Sequence, residues 1–288
     1  MQLIKTVSIR IALVVLALYS LFLCVLYLNQ RILIFPGLTT QGTADGRIQP
    51  LDHDGTLVWL RTSTNVPIAS YLASPLPLVI PTGKTVLFFY GNGCCLNSCW
   101  YILDHFRSLG CSVMMVDYPG YGMSRGVATE DGCYDAAEAA YKYLTTVRRT
   151  QGNHIVVAGW SLGSAVAIHL AAHEPVAGLI AFSAFTNMKA MANHEYSIVP
   201  EVVCALLLKY RFPSVNTMEH VRCPTFLAQG ALDTFVPPIM LGKLAAADHG
   251  VVTRVIVPGV GHNDILSDGG PALYSRLRLW ILSLPDNP

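Results

Sequence analysis

Ser161 stands between two glycines in Gly159-Trp160-Ser161-Leu162-Gly163, after the apolar run His154-Ile155-Val156-Val157-Ala158 and before a helical pattern at 164–173. A serine on a strand-to-helix turn, flanked by residues without a Cβ, is held on a tight elbow where it can act as a nucleophile. A hydroxyl is a poor nucleophile until a base takes its proton, and an imidazole base needs a carboxylate to fix its tautomer. Both are found downstream. Gly230-Ala231-Leu232-Asp233 follows the β-rich run 225–229, and Pro258-Gly259-Val260-Gly261-His262 follows the last such run, 253–257. Ser161, Asp233 and His262 thus come in the order serine, acid, histidine, each at the end of an expected strand. The chemistry this predicts is acyl transfer through a covalent acyl-enzyme.

Other candidates fit less well. Asp264 is too near His262 in sequence to orient it, and Asp117 precedes the nucleophile. His169 and His173, four apart on one expected helix, would face a metal together, but no glutamate lies between them as in a zinc-protease helix. Cys94-Cys95 with Cys99 lacks a matched second pair, so these cysteines read as small hydrophobes rather than ligands. No metal and no cofactor is expected. The oxyanion of the tetrahedral intermediate needs two preorganised N–H donors. Leu162, next after the nucleophile, supplies one. Asn92, in Gly91-Asn92-Gly93 after the run 84–90, is the candidate for the second.

The elements that must position these groups follow from pattern. Strands are expected at 57–61 and 67–72, as a hairpin, and then at 84–90, 112–117, 154–160, 176–182, 225–229 and 253–257. Helices are expected at 98–109, 131–148, 161–173, 238–247 and 272–284. Near-continuously apolar strands alternating with helices predict an α/β class: a mostly parallel central sheet with helices on both faces and its site at the carboxyl ends of the strands. The segment 186–221 breaks the alternation. It holds an apolar helix candidate at 199–210 and reads as a lid insertion above the strand ends.

Composition narrows the class. With 52% hydrophobic and 13% charged residues the chain is too apolar for disorder, and a net charge of +1 without a basic stripe argues against a nucleic-acid partner. The apolar excess is concentrated near the start, where residues 11–28 carry no charge. As a helix this run extends about 27 Å, enough to cross a bilayer core. It is longer than a signal-peptide core and no small-x-small site closes it, so residues 1–31 read as an uncleaved single-pass anchor and 32–288 as the catalytic domain. The stretch 32–46 reads as a link. Lys5 and Arg10 before the run, against Arg31 after it, place the N-terminus in the cytoplasm and the domain on the non-cytoplasmic side. The seven cysteines after the anchor, an odd number, pull the other way.

Four segments together resemble the α/β-hydrolase fold family: Tyr90-Gly91-Asn92-Gly93, Asp117-Tyr118-Pro119-Gly120-Tyr121-Gly122-Met123-Ser124, Gly159-Trp160-Ser161-Leu162-Gly163-Ser164 and Gly261-His262-Asn263-Asp264. With Asn29-Gln30-Arg31 and Phe35-Pro36 after the anchor, they are most similar to its membrane-anchored serine-hydrolase branch of unassigned esterases and acyl-protein thioesterases. The resemblance covers nearly everything after the anchor. It implies cleavage of esters or thioesters of a small molecule, a lipid or an acylated protein. A peptidase of the same fold and a non-catalytic binding scaffold are the alternatives. Tyr90 departs from the pattern, since the family usually has histidine there; the implied role of that side chain is structural.

Overall fold

A computed structural model describes residues 2–48 and 54–285. The apolar runs form the central strands β3 (Thr85–Phe89), β4 (Ser112–Val116), β5 (Ile155–Trp160), β6 (Gly178–Phe182) and β7 (Thr225–Gly230), buried along almost their whole length. Such strands are stable only where both faces are covered. Ahead of them β1 (Thr56–Arg61) and β2 (Pro67–Ala73) form the expected hairpin, and β8 (Val252–Val257) closes the far edge. The order across the sheet is β1-β2-β4-β3-β5-β6-β7-β8. The β1–β2 and β2–β4 pairs are antiparallel, and every later pair is parallel.

Helices flank the sheet in two groups. The first pairs α2 (Trp100–Ser108) with α9 (Gly270–Ser283), where His105 stacks on Tyr274 at 4.5 Å. The second holds α3 (Glu130–Lys142), α4 (Leu162–His173), α7 (Ser214–Met218) and α8 (Ile239–Ala247) side by side. Its members α4 and α3 bring His169 onto Tyr134, the two rings stacked 3.7 Å apart, and His173 stacks on the His169 ring at 4.2 Å. Burial holds His169 down at about 4, so it packs there as a neutral ring.

Two expectations change. The N-terminal helix α1 runs Gln2–Ile34, three residues beyond the expected boundary, and the supposed link enters the core. Phe35 is fully buried, edge-on to Tyr210 at 5.1 Å. An aromatic ring next to a short 3₁₀ turn, Pro36–Thr40, thus nails the end of α1 to the domain. The helix expected at 199–210 is also shorter. Between β6 and β7 lie α5 (Met188–Glu195) and α6 (Glu201–Leu207), after which Leu208 turns extended. The chain leaves the helix there because the Gln30 side chain captures its backbone: Leu207 O accepts from Gln30 at 2.8 Å and Lys209 N–H donates to it at 2.9 Å.

Candidate active site

The turn between β5 and α4 is strained at one residue. Ser161 has φ 55° and ψ −118°, the sparsely populated region that non-glycine residues occupy only when the surroundings force it. The force comes from close packing rather than from the glycines' torsions. A Cβ on Gly159 would lie 2.0 Å from Gly163 O, and one on Gly163 would lie 2.0 Å from Phe89 O. The two glycines therefore let α4 press against β5 and β3, and Ser161 absorbs the turn. Ser161 N–H donates to Phe182 O at 2.9 Å, and Ser164 Oγ donates to Ser161 O at 2.5 Å, which fixes the elbow from both sides.

The loops after β7 and β8 bring Asp233 and His262 to this serine. His262 Nε2 is 2.9 Å from Ser161 Oγ and its Nδ1 is 2.8 Å from Asp233 Oδ2. Asp233 is buried, and its carboxylate is well supplied with donors. Gln229 Nε2 reaches Oδ2 at 2.6 Å, while the N–H groups of Phe235 and Val236 reach Oδ1 at 3.0 and 2.8 Å. These donors and His262 Nδ1 together fix the orientation of the carboxylate. The other two candidate carboxylates, Asp264 and Asp117, lie elsewhere. Asp264 is exposed on its loop. Asp117 is fully buried, accepting from Tyr90 Oη and Leu96 N–H on Oδ1, both at 2.8 Å, and from Met123 N–H on Oδ2 at 3.0 Å. Burial raises its carboxyl to about 6 despite these donors.

That network carries the loop holding Asn92. Tyr90, standing in place of the usual histidine, bonds Asp117 through its hydroxyl, and Asn92 follows two residues on. The Asn92 side chain donates to Ile34 O at 3.1 Å, and its carbonyl accepts from Gly37 N–H and Tyr121 Oη, each at 2.9 Å. The Asn92 backbone N–H is the candidate donor on this loop. Leu162 is the first residue of α4, so its N–H has no acceptor within the helix. Asn92, Ser161 and Leu162 all line one cavity of about 280 Å³. Its remaining wall is mostly apolar, with Leu26 and Tyr27 from α1, Met191 from α5 and Leu207 from α6.

Some supporting residues carry no motif of their own. Trp160 Nε1 donates to His262 O at 3.1 Å, and the Phe235 ring meets the His262 ring edge-on at 4.9 Å. Gln229 was legible only as a strand residue, and Gln30 only as part of the tripeptide after the apolar run. A buried amide at the end of a strand or of an apolar helix is the signal each carried.

Comparison with known proteins fits this geometry. A profile described as the alpha/beta hydrolase fold matches residues 84–214. An uncharacterised protein of Mycobacterium tuberculosis, Rv2307c, is 34% identical over 200 residues, 69% of this chain and 70% of its own. The chain belongs to the α/β-hydrolase fold family. Among other α/β hydrolases, the domain-containing protein WAV2 of Arabidopsis thaliana is 28% identical over 266 residues, covering 86% of this chain and 84% of its own. The structure of the Pyrococcus furiosus esterase Pf2001 superposes with a TM-score of 0.67 at 19% identity, over 83% of this chain and 96% of the other. With a Ser-His-Asp hydrogen-bond chain on this fold, the protein is a serine hydrolase.

Proposed function

We propose that this serine hydrolase cleaves carboxylic esters or thioesters of long acyl chains, held at a membrane by α1. The observation that carries the reading is the Asp233–His262–Ser161 hydrogen-bond chain opening into a cavity whose wall is mostly apolar. In this reading Ser161 is the nucleophile. His262 Nε2 takes its proton as Oγ adds to the carbonyl carbon, and Asp233 stabilises the imidazolium that forms. The backbone N–H groups of Leu162 and Asn92 hold the oxyanion, each such donor contributing about 3–4 kcal/mol. His262 then gives the proton to the departing alcohol or thiol. Water, deprotonated by the same imidazole, adds to the acyl-enzyme and releases the acid. No step calls for a metal or cofactor.

Membrane attachment rests on α1, whose Thr6–Ile34 portion is long and apolar enough to cross a bilayer. The flanking lysine and arginine residues favour a cytoplasmic N-terminus with the domain on the other side. In 186–221, α5 and α6 form a cap over the site.

The test is hydrolysis of acyl esters and thioesters from short to long by detergent-solubilised protein, beside Ser161→Ala. Turnover that vanishes in the variant and peaks at long chains supports the reading. A short-chain optimum makes it a small-molecule esterase. Labelling of Ser161 by a fluorophosphonate without turnover redirects it to a peptidase, and neither labelling nor turnover to a binding scaffold.

A further inference from the structure

The helix that tethers the domain is also a wall of its cavity. Tyr19, Leu23, Leu26, Gln30 and Ile34, spaced four, three, four and four apart, form the less exposed stripe of α1, and the last four line the cavity that holds Ser161. The cap lies along the same stripe. Tyr19 Oη donates to Ile198 O at 3.4 Å, Lys209 Nζ sits 3.9 Å above the Tyr27 ring, and Gln30 binds Leu207 O and Lys209 N–H. Residues 198–209 therefore run beside residues 19–30 in the same direction.

This pairing has a consequence for depth. Tyr19 lies nine residues before the end of the uncharged run, about 13 Å along the helix. An α1 that crosses a bilayer takes the Ile198 end of the cap below the level of Tyr27 and Lys209, residue types that sit at the headgroup boundary. The outer face of the cap is built for that position. Ile198, Val202 and Leu206 are 71%, 64% and 79% exposed, and Leu18, Leu21 and Leu28 of the adjoining α1 are 60–68% exposed. Glu201, the acid on this helix, is paired with Lys189 at 2.6 Å. Three large aliphatic side chains in a row facing water are unusual on a soluble surface and ordinary at a lipid boundary.

We infer that the outer face of the cap is embedded in the bilayer beside α1, and that the acyl chain of a bilayer-resident ester or thioester reaches Ser161 laterally between α1 and α6. This rests on the hydrolase reading above and adds the route and the physical state of the substrate. The α1 part of the lining extends from Leu23 to Ile34, about 16 Å. An extended chain advances about 1.2 Å per bond, so this wall accommodates on the order of a dozen carbons. Leu23 and Leu26 of α1 and Cys204 and Leu207 of α6, which line the cavity together, supply an apolar path, and the carbonyl meets the oxyanion donors at its inner end.

The experiment uses the full chain in phosphatidylcholine vesicles and compares it with the triple variant Ile198→Ser, Val202→Ser, Leu206→Ser, whose altered residues neither line the cavity nor touch the triad. A water-soluble short ester tests the hydrolase reading alone and is cleaved equally by both. A long-chain acylglycerol and an S-acylated peptide, each incorporated in the vesicles, test the route; the variant falls about tenfold or more on whichever is the substrate. Those two arms separate a lipid from a lipidated protein as the source of the chain. Val202→Trp, with phosphatidylcholine brominated on its acyl chains, reads embedding directly: the added tryptophan emission is quenched if the cap is in the hydrocarbon. Undiminished vesicle turnover by the triple variant overturns the lateral route, and unquenched emission from the added indole overturns the embedding. Failure of the short ester with intact quenching leaves the embedding standing and removes the hydrolase reading instead.

Discussion

Tyr90 donates its hydroxyl to the fully buried Asp117 at 2.8 Å, where the family usually has a histidine. The bond ties the strand end that leads to Asn92 to the loop after β4, and so sets the position of the proposed oxyanion donor. Tyr90→Phe removes one of three donors to this carboxylate. A loss of about 1–3 kcal/mol in unfolding free energy is expected, read by denaturant titration. The kcat for any ester substrate falls with it as Asn92 loosens, while KM changes little.

Asp117 gives the stability a pH dependence whose sign is set by burial. Its folded value of about 6 lies above the ordinary 3.8, so the folded chain holds this proton more tightly than the unfolded chain. The stabilising contribution is complete below about pH 3.8 and is lost as pH rises through about 6. The difference in unfolding free energy between wild type and Asp117→Asn therefore grows by about 1 kcal/mol from pH 7 to pH 5. Paired denaturant curves at the two pH values check this, and a difference that shrinks contradicts it.

Asp233→Asn leaves the cage of donors facing a neutral amide and presents the wrong partner to His262 Nδ1. A fall in kcat of about 10⁴-fold with little change in KM is expected. Ester hydrolysis across pH 5 to 9 measures it, and a loss confined to KM would assign Asp233 to substrate binding instead.

Gly163→Ala places a methyl 2.0 Å from the Phe89 carbonyl, a backbone atom that cannot yield without moving β3. The expected cost is about 1–3 kcal/mol of stability, together with loss of the Ser161 geometry. Thermal unfolding with fluorophosphonate labelling of the folded fraction separates the two effects. A folded variant labelled at the wild-type rate would mean that Ser161 does not depend on this approach.

Gln30→Ala strips the partner from Leu207 O and from Lys209 N–H at once. The end of α1 then loosens from the cap at a cost of about 1–3 kcal/mol. Long-chain substrates lose affinity more than short ones, because the wall that moves is the one lining the proposed acyl path. A series of acyl esters measured as KM against chain length reports it.

The sequence by itself determined the parts whose physics is local. Strands from 84–90 to 253–257 declare themselves because each is an apolar run bounded by turn residues, and the observed bounds differ from the expected ones by about two residues at most. The Gly-x-Ser-x-Gly turn, the loop after β7 and the glycine-rich loop after β8 were legible for the same reason, since each follows a strand directly. What the sequence could not carry is which distant atoms meet. Trp160 holds the His262 carbonyl across 102 positions, a pairing set by parallel strand order, while Gln229 and Val236 hold Asp233 through the fold of the end of β7 and its loop, whose side-chain contacts no motif announces. The N-terminal helix shows the limit most plainly. Its apolar run indicated a tether and the following residues a link, whereas tertiary packing of Phe35 and Gln30 makes its end part of the site. A residue at 30 and one at 207 carry no mutual signal along the chain, and only burial of their polar atoms against each other, away from water, brings them together.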